Sequence, residues 1–553
     1  MKYTVGALLA DCLAANGVDT VFGIVSVHNM AIMDAIAARP ALRMVMTRGE
    51  TGAAHMADGH ARARQGLGVV ITSTGPGATN AVPGLAEAQF AGSPVLHITG
   101  QTATPYLGSR RGTVHDMPSQ HDMLRSVGKA VLRVTDADSA LAVIQEAIRV
   151  CLQAPAGPVS LEIPVDLQGR EVAMPDPASL KVSPAAAPPA EPAVIAELLR
   201  RIKAARRPML WVGAGAKGAA SQLAALVDMG FGVVSSWSGR GVVDDHHPRN
   251  LGALNGAGSP AVLDLYRSAD LMLVVGSRLR GQETDNQAVP LPTPLLRVDI
   301  DAARDSLGYA NELFVQGDCA EVLDRLLAGL ADGLDIDPAF DADVRAARQA
   351  AIDDYLGRLG PYRDFPAMLR RVLPDDALWV RDITKSNSTW GHRLFPLRKA
   401  HQNIYPVSAG IGQGLQLGIG AALASPGRKT AVLTGDGGFY FNMTELWTAV
   451  QERLDMLVIV MNDQGYGAIR GIQDVVCDGR HRYDALGGPS FADIAQLAGA
   501  KFWKVEAAQD FERIAAEAYA SPGLCVVEVD MVAIGALPMY YPYIKAGTPR
   551  QDK

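Results

Sequence analysis

The chain has 553 residues, of which 48% are hydrophobic and 20% charged, and it carries a formal net charge of −7. This length predicts several domains with cores of their own, and the composition excludes general disorder. The mildly acidic balance, without basic clusters, argues against nucleic acid as a partner.

The cysteines and the apolar runs indicate in which cellular compartment the protein is expected. Five cysteines is an odd number, and they are widely spaced, without the C-x-x-C pairs of zinc or redox sites. No apolar run reaches the ~18 residues needed to span a bilayer. Asp11 interrupts the first apolar stretch, which is typical of an amphipathic helix rather than a signal peptide. We therefore expect a cytoplasmic protein with no membrane partner.

Short apolar runs alternate with helix-length segments along the chain, which predicts an α/β fold of three doubly wound parallel-sheet domains. The first domain is predicted at residues 1–170, with strands at 21–25, 43–47, 67–72, 94–99 and 159–163. Residues 171–192, rich in Pro and Ala, are interpreted as a linker. The central domain is expected at residues 193–335, with strands at 208–213, 232–235, 271–275 and 295–298.

A second linker is predicted at residues 336–364, followed by a third domain at 365–532 with strands at 377–380, 430–434, 456–461 and 524–529. Residues 533–553 are interpreted as a C-terminal tail whose tyrosines, Tyr540, Tyr541 and Tyr543, form a lid. Residues 69–99 and 430–461 share a plan of strand, glycine turn, helix and strand. This indicates that the first and third domains are variants of one architecture.

Two glycine-rich loops in the third domain follow neighbouring strands. Gly435, Asp436, Gly437 and Gly438 form the first loop, and the second contains Asp463, Gly465 and Tyr466. Carboxyl ends of parallel strands meet at one sheet edge, where phosphates bind. Either loop alone would fit an ordinary turn, but the pair predicts a Mg²⁺ site of Asp436, Asp463 and the Gly465 carbonyl, completed by diphosphate oxygens.

These paired loops resemble the cofactor motif of thiamine diphosphate (ThDP) enzymes, and the chain is similar to the acetolactate synthase and 2-oxo acid decarboxylase superfamily over nearly its whole length. The resemblance implies pyrimidine-binding, central and diphosphate-binding domains in that order, with ThDP and Mg²⁺ as cofactors. The family usually has two asparagines at the second loop, whereas this chain has Asn462 and Asp463. The carboxylate of Asp463 offers an oxygen at the same distance from the backbone as an asparagine side chain does. Asp463 therefore stays the expected Mg²⁺ ligand, with Asn462 as the alternative.

The resemblance also implies roles for residues around the cofactor. Glu50 stands at the position of the activating glutamate, which hydrogen-bonds the aminopyrimidine ring and favours its imino tautomer. Ile411 matches the aliphatic residue that bends ThDP. The remaining cofactor-binding positions are Gly75, Pro76, Asn80, Ser386, Asn387, Gly410, Gly435, Gly437, Gly438, Gly465 and Tyr466.

Three further residues are candidates for handling the acyl group. His28 and His115 resemble the family's proton-transfer residues, and Gln120 is a weaker candidate for contact with the substrate. For each histidine a structural hydrogen bond is the alternative. Ser73 stands where one decarboxylase branch has a histidine, which disfavours strict benzoylformate-type decarboxylation.

The central domain contains Gly213, Gly215 and Gly218 in a formal G-x-G-x-x-G match. The acidic residue expected about 20 positions later is present only loosely, so NAD binding is not favoured. Some relatives bind FAD or ADP in this domain, but residues 278–285 differ from the corresponding stretch of flavin-binding synthases. FAD therefore stays open without being favoured.

We therefore expect a ThDP- and Mg²⁺-dependent lyase or transferase that decarboxylates a 2-oxo acid, then protonates the acyl carbanion or joins it to a carbonyl acceptor. The alternatives are an acetolactate synthase proper, an oxalyl-coenzyme A type decarboxylase, a cyclic dione hydrolase, or a catalytically silent subunit. The resemblance implies at least a homodimer, and a homotetramer as the expected assembly, because the family builds each site from the first domain of one subunit and the third domain of another.

Overall fold

The computed structural model describes residues 2–253 and 259–538 of the chain. Within these ranges the chain forms three α/β units, each built on one parallel sheet with flanking helices. The predicted fold class is therefore confirmed.

The first unit has six strands in the spatial order β2-β1-β3-β4-β6-β5. β3, β4 and β6 are buried along their full length, as expected for strands with helices on both faces. The strands are β1 (Thr20–Gly23), β2 (Arg43–Met46), β3 (Gly68–Thr72), β4 (Val95–Gln101), β5 (Ala130–Arg133) and β6 (Val159–Pro164). The helices are α1 (Val5–Ala15), α2 (Met30–Ala37), α3 (Glu50–Arg64), α4 (Pro76–Asn80), α5 (Val82–Ala91), α6 (Gln120–Val127), α7 (Ala140–Leu152) and α8 (Val165–Gln168).

The second unit has five strands in the order β11-β10-β9-β7-β8. They are β7 (Pro208–Val212), β8 (Gly232–Ser235), β9 (Leu271–Val275), β10 (Leu295–Asp299) and β11 (Leu313–Gln316). The helices are α9 (Pro192–Ala204), α10 (Ala220–Asp228), α11 (Pro260–Ser268), α12 (Gly281–Thr284), α13 (Cys319–Gly329) and α14 (Phe340–Gly357).

Helix α14 corrects the prediction of a linker at residues 336–364. Its buried residues Phe340, Val344 and Ala351 belong to one hydrophobic cluster with Met209 and Trp211 of strand β7. Because this helix covers a face of the second sheet, most of the segment completes the central unit instead of connecting two units.

The third unit repeats the strand order of the first, with β13-β12-β14-β15-β17-β16. Its strands are β12 (Trp379–Arg381), β13 (Asn403–Ile404), β14 (Thr430–Gly435), β15 (Met456–Asn462), β16 (Lys501–Val505) and β17 (Leu524–Asp530). Its helices are α15 (Phe365–Val372), α16 (Gly414–Leu423), α17 (Asp436–Phe441), α18 (Leu446–Gln451), α19 (Gly467–Val476), α20 (Phe491–Ala498), α21 (Phe511–Ala520) and α22 (Met531–Ile534). The shared order confirms that the first and third units are variants of one architecture.

The first and third units pack through α3 and α16, whose backbones approach at glycines. A Cβ atom at Gly59 would lie 2.1 Å from the carbonyl oxygen of Leu417, and one at Gly420 would lie 1.9 Å from that of Met56. Real Cβ atoms do not come so close to backbone oxygen. Glycine at these two positions therefore permits the contact between the two units.

Among the described residues, no helix combines the length and the apolar character needed to cross a membrane. The predicted lid tyrosines, Tyr540, Tyr541 and Tyr543, lie outside the described residues.

Candidate active site

The first unit brings Glu50, His28 and His115 to the edge of its sheet where β1 and β3 end. Ser73, just past β3, connects the histidines: its Oγ lies 3.4 Å from Nδ1 of His28 and 3.3 Å from Nδ1 of His115. The two imidazole rings are 5.1 Å apart between centroids. Burial, and then the neighbouring His115, lower the pKa of His28. A neutral imidazole can accept a proton, so His28 is suited to proton transfer.

Glu50 begins α3 and is oriented by a neighbouring loop. Its Oε2 accepts a hydrogen bond of 3.1 Å from Nδ2 of Asn80. A Cβ at Gly77 would lie 3.0 Å from Oε1 of Glu50 and 2.9 Å from Cβ of Ser73. The glycine therefore lets the loop after β3 approach the carboxylate, and Pro76 precedes it at the start of α4. We call Glu50, Ser73, Asn80, His28 and His115 the first half-site.

Gln120 lies close to this half-site but supports its loop. Its Oε1 accepts from the backbone N–H of Gly75 at 2.6 Å and from Oγ1 of Thr74 at 2.8 Å, and its Nε2 donates to Glu162 at 2.8 Å. Gly75 has φ of +57°, and a Cβ there would lie 2.3 Å from the His115 carbonyl oxygen. The structure thus places Gln120 as a buried support for the turn that contacts His115.

The third unit forms a cavity of about 280 Å³ at the carboxyl edge of its sheet. The two glycine-rich loops line it, together with Ile411 and the segment after β12. We call this space the third-unit cavity. Its described lining includes the predicted residues Ser386, Ile411, Gly435, Asp436, Gly437, Gly438, Asp463, Gly465 and Tyr466.

Two aspartates, Asp436 and Asp463, line this cavity and interact electrostatically. Burial, and then the charge of Asp463, raise the pKa of Asp436 to about 7. Oδ2 of Asp436 accepts from the backbone N–H of Gly465 at 2.7 Å. Burial also raises the pKa of Asp463, whose carboxylate lies 4.0 Å from Nζ of Lys385. Since no three His, Cys, Asp or Glu residues come together in the described chain, a cation here needs further oxygen ligands, as Mg²⁺ takes from phosphates.

The segment after β12 adds groups that suit a phosphate. Lys385 supplies a positive charge, and Oγ of Ser386 is buried without a hydrogen-bond partner among the described residues. Asn387, by contrast, is fully buried, and its Nδ2 lies 3.1 Å from Nε2 of His392. The side chain of Asn387 therefore belongs to the protein interior, whereas Lys385, which the sequence prediction missed, lines the cavity.

Asp382 is a second residue that the prediction missed. Its buried carboxylate accepts from the backbone N–H groups of Gly412 at 3.0 Å and Gly414 at 3.2 Å, on either side of the turn that follows Ile411. Burial raises the pKa of Asp382 to about 6. Asp382 stands directly after β12, as Asp436 follows Gly435 at the end of β14, and this position was the signal that could have identified it.

Within one chain the first half-site and the third-unit cavity do not join. Glu50 begins α3, whereas Arg62, about 18 Å further along the helix, donates to the carbonyl oxygen of Tyr405 at 2.7 Å. The chain therefore approaches Ile411 from the end of α3 that is remote from Glu50. All described residues that line the third-unit cavity belong to the third unit. One chain thus presents two half-sites.

A separate cavity of about 570 Å³ lies at the carboxyl edge of the second sheet, lined by Lys217, Arg278 and Arg280 among others. A Cβ at Gly213 would lie 2.1 Å from the carbonyl oxygen of Gly276, and one at Gly215 would lie 3.0 Å from it. Backbone packing therefore accounts for two of the three motif glycines without a nicotinamide cofactor. FAD binding here stays a prediction.

Comparisons with known proteins agree with this geometry. Three family models match: thiamine pyrophosphate enzyme, N-terminal TPP binding domain at residues 3–123, central domain at 195–326, and C-terminal TPP binding domain at 382–529. The chain is 32% identical over 483 residues to the probable 2-ketoarginine decarboxylase AruI of Pseudomonas aeruginosa, with 84% of this chain and 83% of the relative covered. It is 28% identical over 512 residues to the acetolactate synthase isozyme 3 large subunit of Escherichia coli, with 89% and 88% covered. The chain belongs to the thiamine pyrophosphate enzyme family.

Proposed function

We propose that this protein decarboxylates a 2-oxo acid in a reaction that depends on ThDP and Mg²⁺, and then protonates the acyl carbanion or transfers it to an aldehyde or ketone. The observation that carries the proposal is the presence of two complementary half-sites in the chain. One has a carboxylate beside two hydrogen-bonded histidines, and the other has two aspartates in a cavity with Lys385 and Ser386. When bound, ThDP supplies the nucleophilic carbon and the electron sink that decarboxylation needs.

The residues of the chain have distinct tasks in this proposal. Asp436, Asp463 and the Gly465 carbonyl hold Mg²⁺, while Ser386 and Lys385 bind the diphosphate. Ile411 would contact the cofactor from the cavity wall, and Asp382 fixes the turn that follows Ile411. These assignments rest on the lining of the third-unit cavity and on the Asp382 hydrogen bonds.

The first half-site moves protons. Glu50, oriented by Asn80, would hydrogen-bond a ring nitrogen of the aminopyrimidine and could share a proton with it. His28 is neutral near pH 7 because its pKa is lowered, so it can accept a proton from the substrate or from water. Ser73 holds His28 and His115 in a fixed relation through its Oγ atom.

We further propose that two copies of the chain complete each site. Glu50 of one copy would face the third-unit cavity of the other, because one chain does not join its own half-sites. Exposed apolar side chains near the first half-site support a covering partner: Val25, Val27, Met30 and Val114 are 49%, 64%, 55% and 67% exposed. A homodimer is the minimum assembly on this account, and a dimer of dimers is the expected one.

The substrate class can be tested by product analysis. Purified protein with ThDP and Mg²⁺ is incubated with pyruvate, benzoylformate and 5-guanidino-2-oxopentanoate, the last because the Pseudomonas relative is named for 2-ketoarginine. We expect cofactor-dependent CO₂ release from at least one acid. An aldehyde product would identify a decarboxylase, and a hydroxyketone or acetohydroxy acid would identify a carboligase. Bound ThDP without CO₂ release from a wide panel of 2-oxo acids would contradict the proposal.

A further inference from the structure

A cavity of about 340 Å³ lies between the second and third units, apart from both half-sites. Four arginines line it: Arg240, Arg348, Arg370 and Arg393. We call this space the arginine cavity. Its volume is within the range of small-molecule sites, ~300–1,000 Å³.

The arginine cavity has an excess of positive charge. Asp245 is its one described carboxylate, and it pairs with Arg240 and accepts the backbone N–H of Leu397 at 2.9 Å. No described carboxylate lies within ion-pair distance of Arg348, Arg370 or Arg393. The described lining therefore carries three more positive than negative charges, and the nearest carboxylates to Arg348 and Arg370, those of Asp245 and Asp375, act on them only from beyond ion-pair distance.

Backbone carbonyl groups hold these three guanidinium groups in place. Arg348 donates to the carbonyl oxygens of Asn250 at 2.9 Å and Asp245 at 3.1 Å. Arg393 donates to those of Ser388 and Ala253, each at 3.2 Å, and Arg370 donates to two carbonyl groups at the end of α15. Such hydrogen bonds fix the arginines without neutralising them, which prepares the cavity for an anion.

Apart from Asn250 and Gly252, the rest of the lining is apolar. Ile352 and Leu356 come from α14, and Pro366, Leu394 and Pro396 come from the third unit. Burial lowers the pKa of Arg348 and of Arg370, because both side chains are partly withdrawn from water. A ligand that matches the site therefore combines an anionic group with an apolar body.

One short segment connects the arginine cavity to the third-unit cavity. The π-helix Asn387–Gly391 follows Lys385 and Ser386, and Ser388 lines the third-unit cavity. Arg393 contacts the carbonyl oxygen of Ser388 from the other side and lines the arginine cavity. An anion that fixes Arg393 would thus also fix the backbone that presents Ser386.

We propose that the arginine cavity binds an organic carboxylate with an apolar body, and that its occupancy tightens cofactor binding in the third-unit cavity. The carboxylate bridges Arg348 of the second unit to Arg370 and Arg393 of the third. It adds negative charge to a lining with an excess of positive charge, and through Arg393 it fixes the segment that carries Ser386. A 2-oxo acid with an apolar side chain belongs to this ligand class. The coupling, unlike the binding, rests on the proposed cofactor site.

Binding is tested by calorimetric titration of the full-length protein with hexanoate, hexanamide and inorganic phosphate. We expect saturable hexanoate binding, with hexanamide and phosphate each at least about tenfold weaker. Arg348→Gln and Arg370→Gln should each weaken hexanoate binding by a similar factor, and Arg348→Lys should restore part of it. Arg345→Gln is the matched control, because Arg345 lies on the same helix and pairs with exposed Asp341.

Three results would overturn the binding proposal: no saturable hexanoate binding, equal binding of hexanamide or phosphate, or unchanged affinity in folded Arg348→Gln and Arg370→Gln proteins. The coupling is tested by ThDP titration with Mg²⁺, where saturating hexanoate should lower the Kd of ThDP by about fivefold or more. An unchanged Kd would overturn the coupling. Asp436→Asn should lose ThDP binding but keep hexanoate binding, which separates a failure of the cofactor site from a failure of the arginine cavity.

Discussion

Asp463 is the residue at which this chain departs from the two asparagines usual in its family. The side chain of the neighbouring Asn462 already makes two hydrogen bonds within the protein. Its Nδ2 donates to Oε1 of Glu528 at 2.7 Å, and its Oδ1 accepts from the backbone N–H of Gln464 at 3.1 Å. Asp463 instead lines the third-unit cavity beside Lys385. The geometry thus favours Asp463 over Asn462 as the metal ligand.

We expect Asp463→Ala to weaken the Mg²⁺ dependence of ThDP binding by about tenfold or more, because a carboxylate ligand is lost. Asp463→Asn keeps an oxygen at the same reach and removes a negative charge, so its loss should be only several-fold. Titration of ThDP binding against Mg²⁺ measures both effects. An equal loss in Asn462→Ala would contradict the assignment.

Glu50→Gln should lower turnover by about a hundredfold or more, since an amide cannot share a proton with the aminopyrimidine. ThDP binding should stay close to that of the unmodified protein, because the diphosphate and metal groups are in the third unit. Steady-state CO₂ release and ThDP titration give the two readouts. The control is Glu146→Gln, which removes an exposed ion pair with Arg149 in the same unit. If Glu50→Gln turned over substrate as fast as Glu146→Gln, the proposed role of Glu50 would be wrong.

At the scale of elements, the contact of α3 with α16 depends on glycine. Gly420→Ala should destabilise the protein by about 3 kcal/mol or more, because the new Cβ would overlap the Met56 carbonyl oxygen and force the helices apart. Gly357→Ala is the matched control: nothing lies within 4 Å of its Cβ position, so little change is expected. Urea unfolding compares the two, and equal stability would show that the helices separate without cost.

The sheet of the first unit contains a pH-sensitive residue, His97 on β4. Burial lowers the pKa of His97 to about 3, and its ring lies between Oγ1 of Thr72 and Oγ of Ser160. The unfolded chain binds a proton below about pH 6.5, whereas the folded chain does not. The contribution of neutral His97 to stability is therefore complete above pH 6.5 and is lost as the pH falls toward 3.

When the pH falls from about 7.5 to about 5, proton uptake by His97 in the unfolded chain lowers the free energy of unfolding by about 2 kcal/mol. His97→Asn, which does not titrate, should lose that much less stability over the same interval, as measured by urea unfolding at both pH values. His481→Asn, at an exposed histidine paired with Asp474, should behave as the unmodified protein does. An identical pH response in His97→Asn would mean that His97 is charged in the folded state.

The elements also show what the sequence could predict. Buried strands such as β3 and β15 are almost continuous apolar runs, so the sequence pattern located them. The edge strand β16 is mostly exposed or partly buried and contains no such run, so the sequence did not predict it. Helix α14 follows an acidic, turn-rich stretch, and for this reason the segment was predicted to be a linker.

Within the site, motifs located Glu50, Asp436 and Asp463 because each stands in a recognisable local pattern. Contacts between distant segments had no such signal. Ser73 bridges His28 and His115, which are far apart in the sequence, and Lys385 reaches the cavity only through the fold. The side chain of Asn387 lies near the ring of His392, a local contact that no sequence motif indicated.

At the scale of the whole molecule, the proposed activity requires two chains to share each site. The first half-site and the third-unit cavity are built on units of the same topology, joined in one chain by α3 and α16. That contact separates Glu50 from the Ile411 turn of its own chain. In a dimer with twofold symmetry, the first half-site of each chain would meet the third-unit cavity of the other chain, which gives two equivalent sites.

The most direct test mixes two inactive variants, Glu50→Gln and Asp436→Asn, after reversible dissociation, and measures CO₂ release from a 2-oxo acid that the unmodified protein accepts. In a mixed dimer one site receives both substitutions and the other receives neither. Random reassociation should therefore restore about a quarter of the unmodified activity. If mixed dimers form, as a tag on one variant would show, but no activity returns, each site lies within a single chain and the account is wrong.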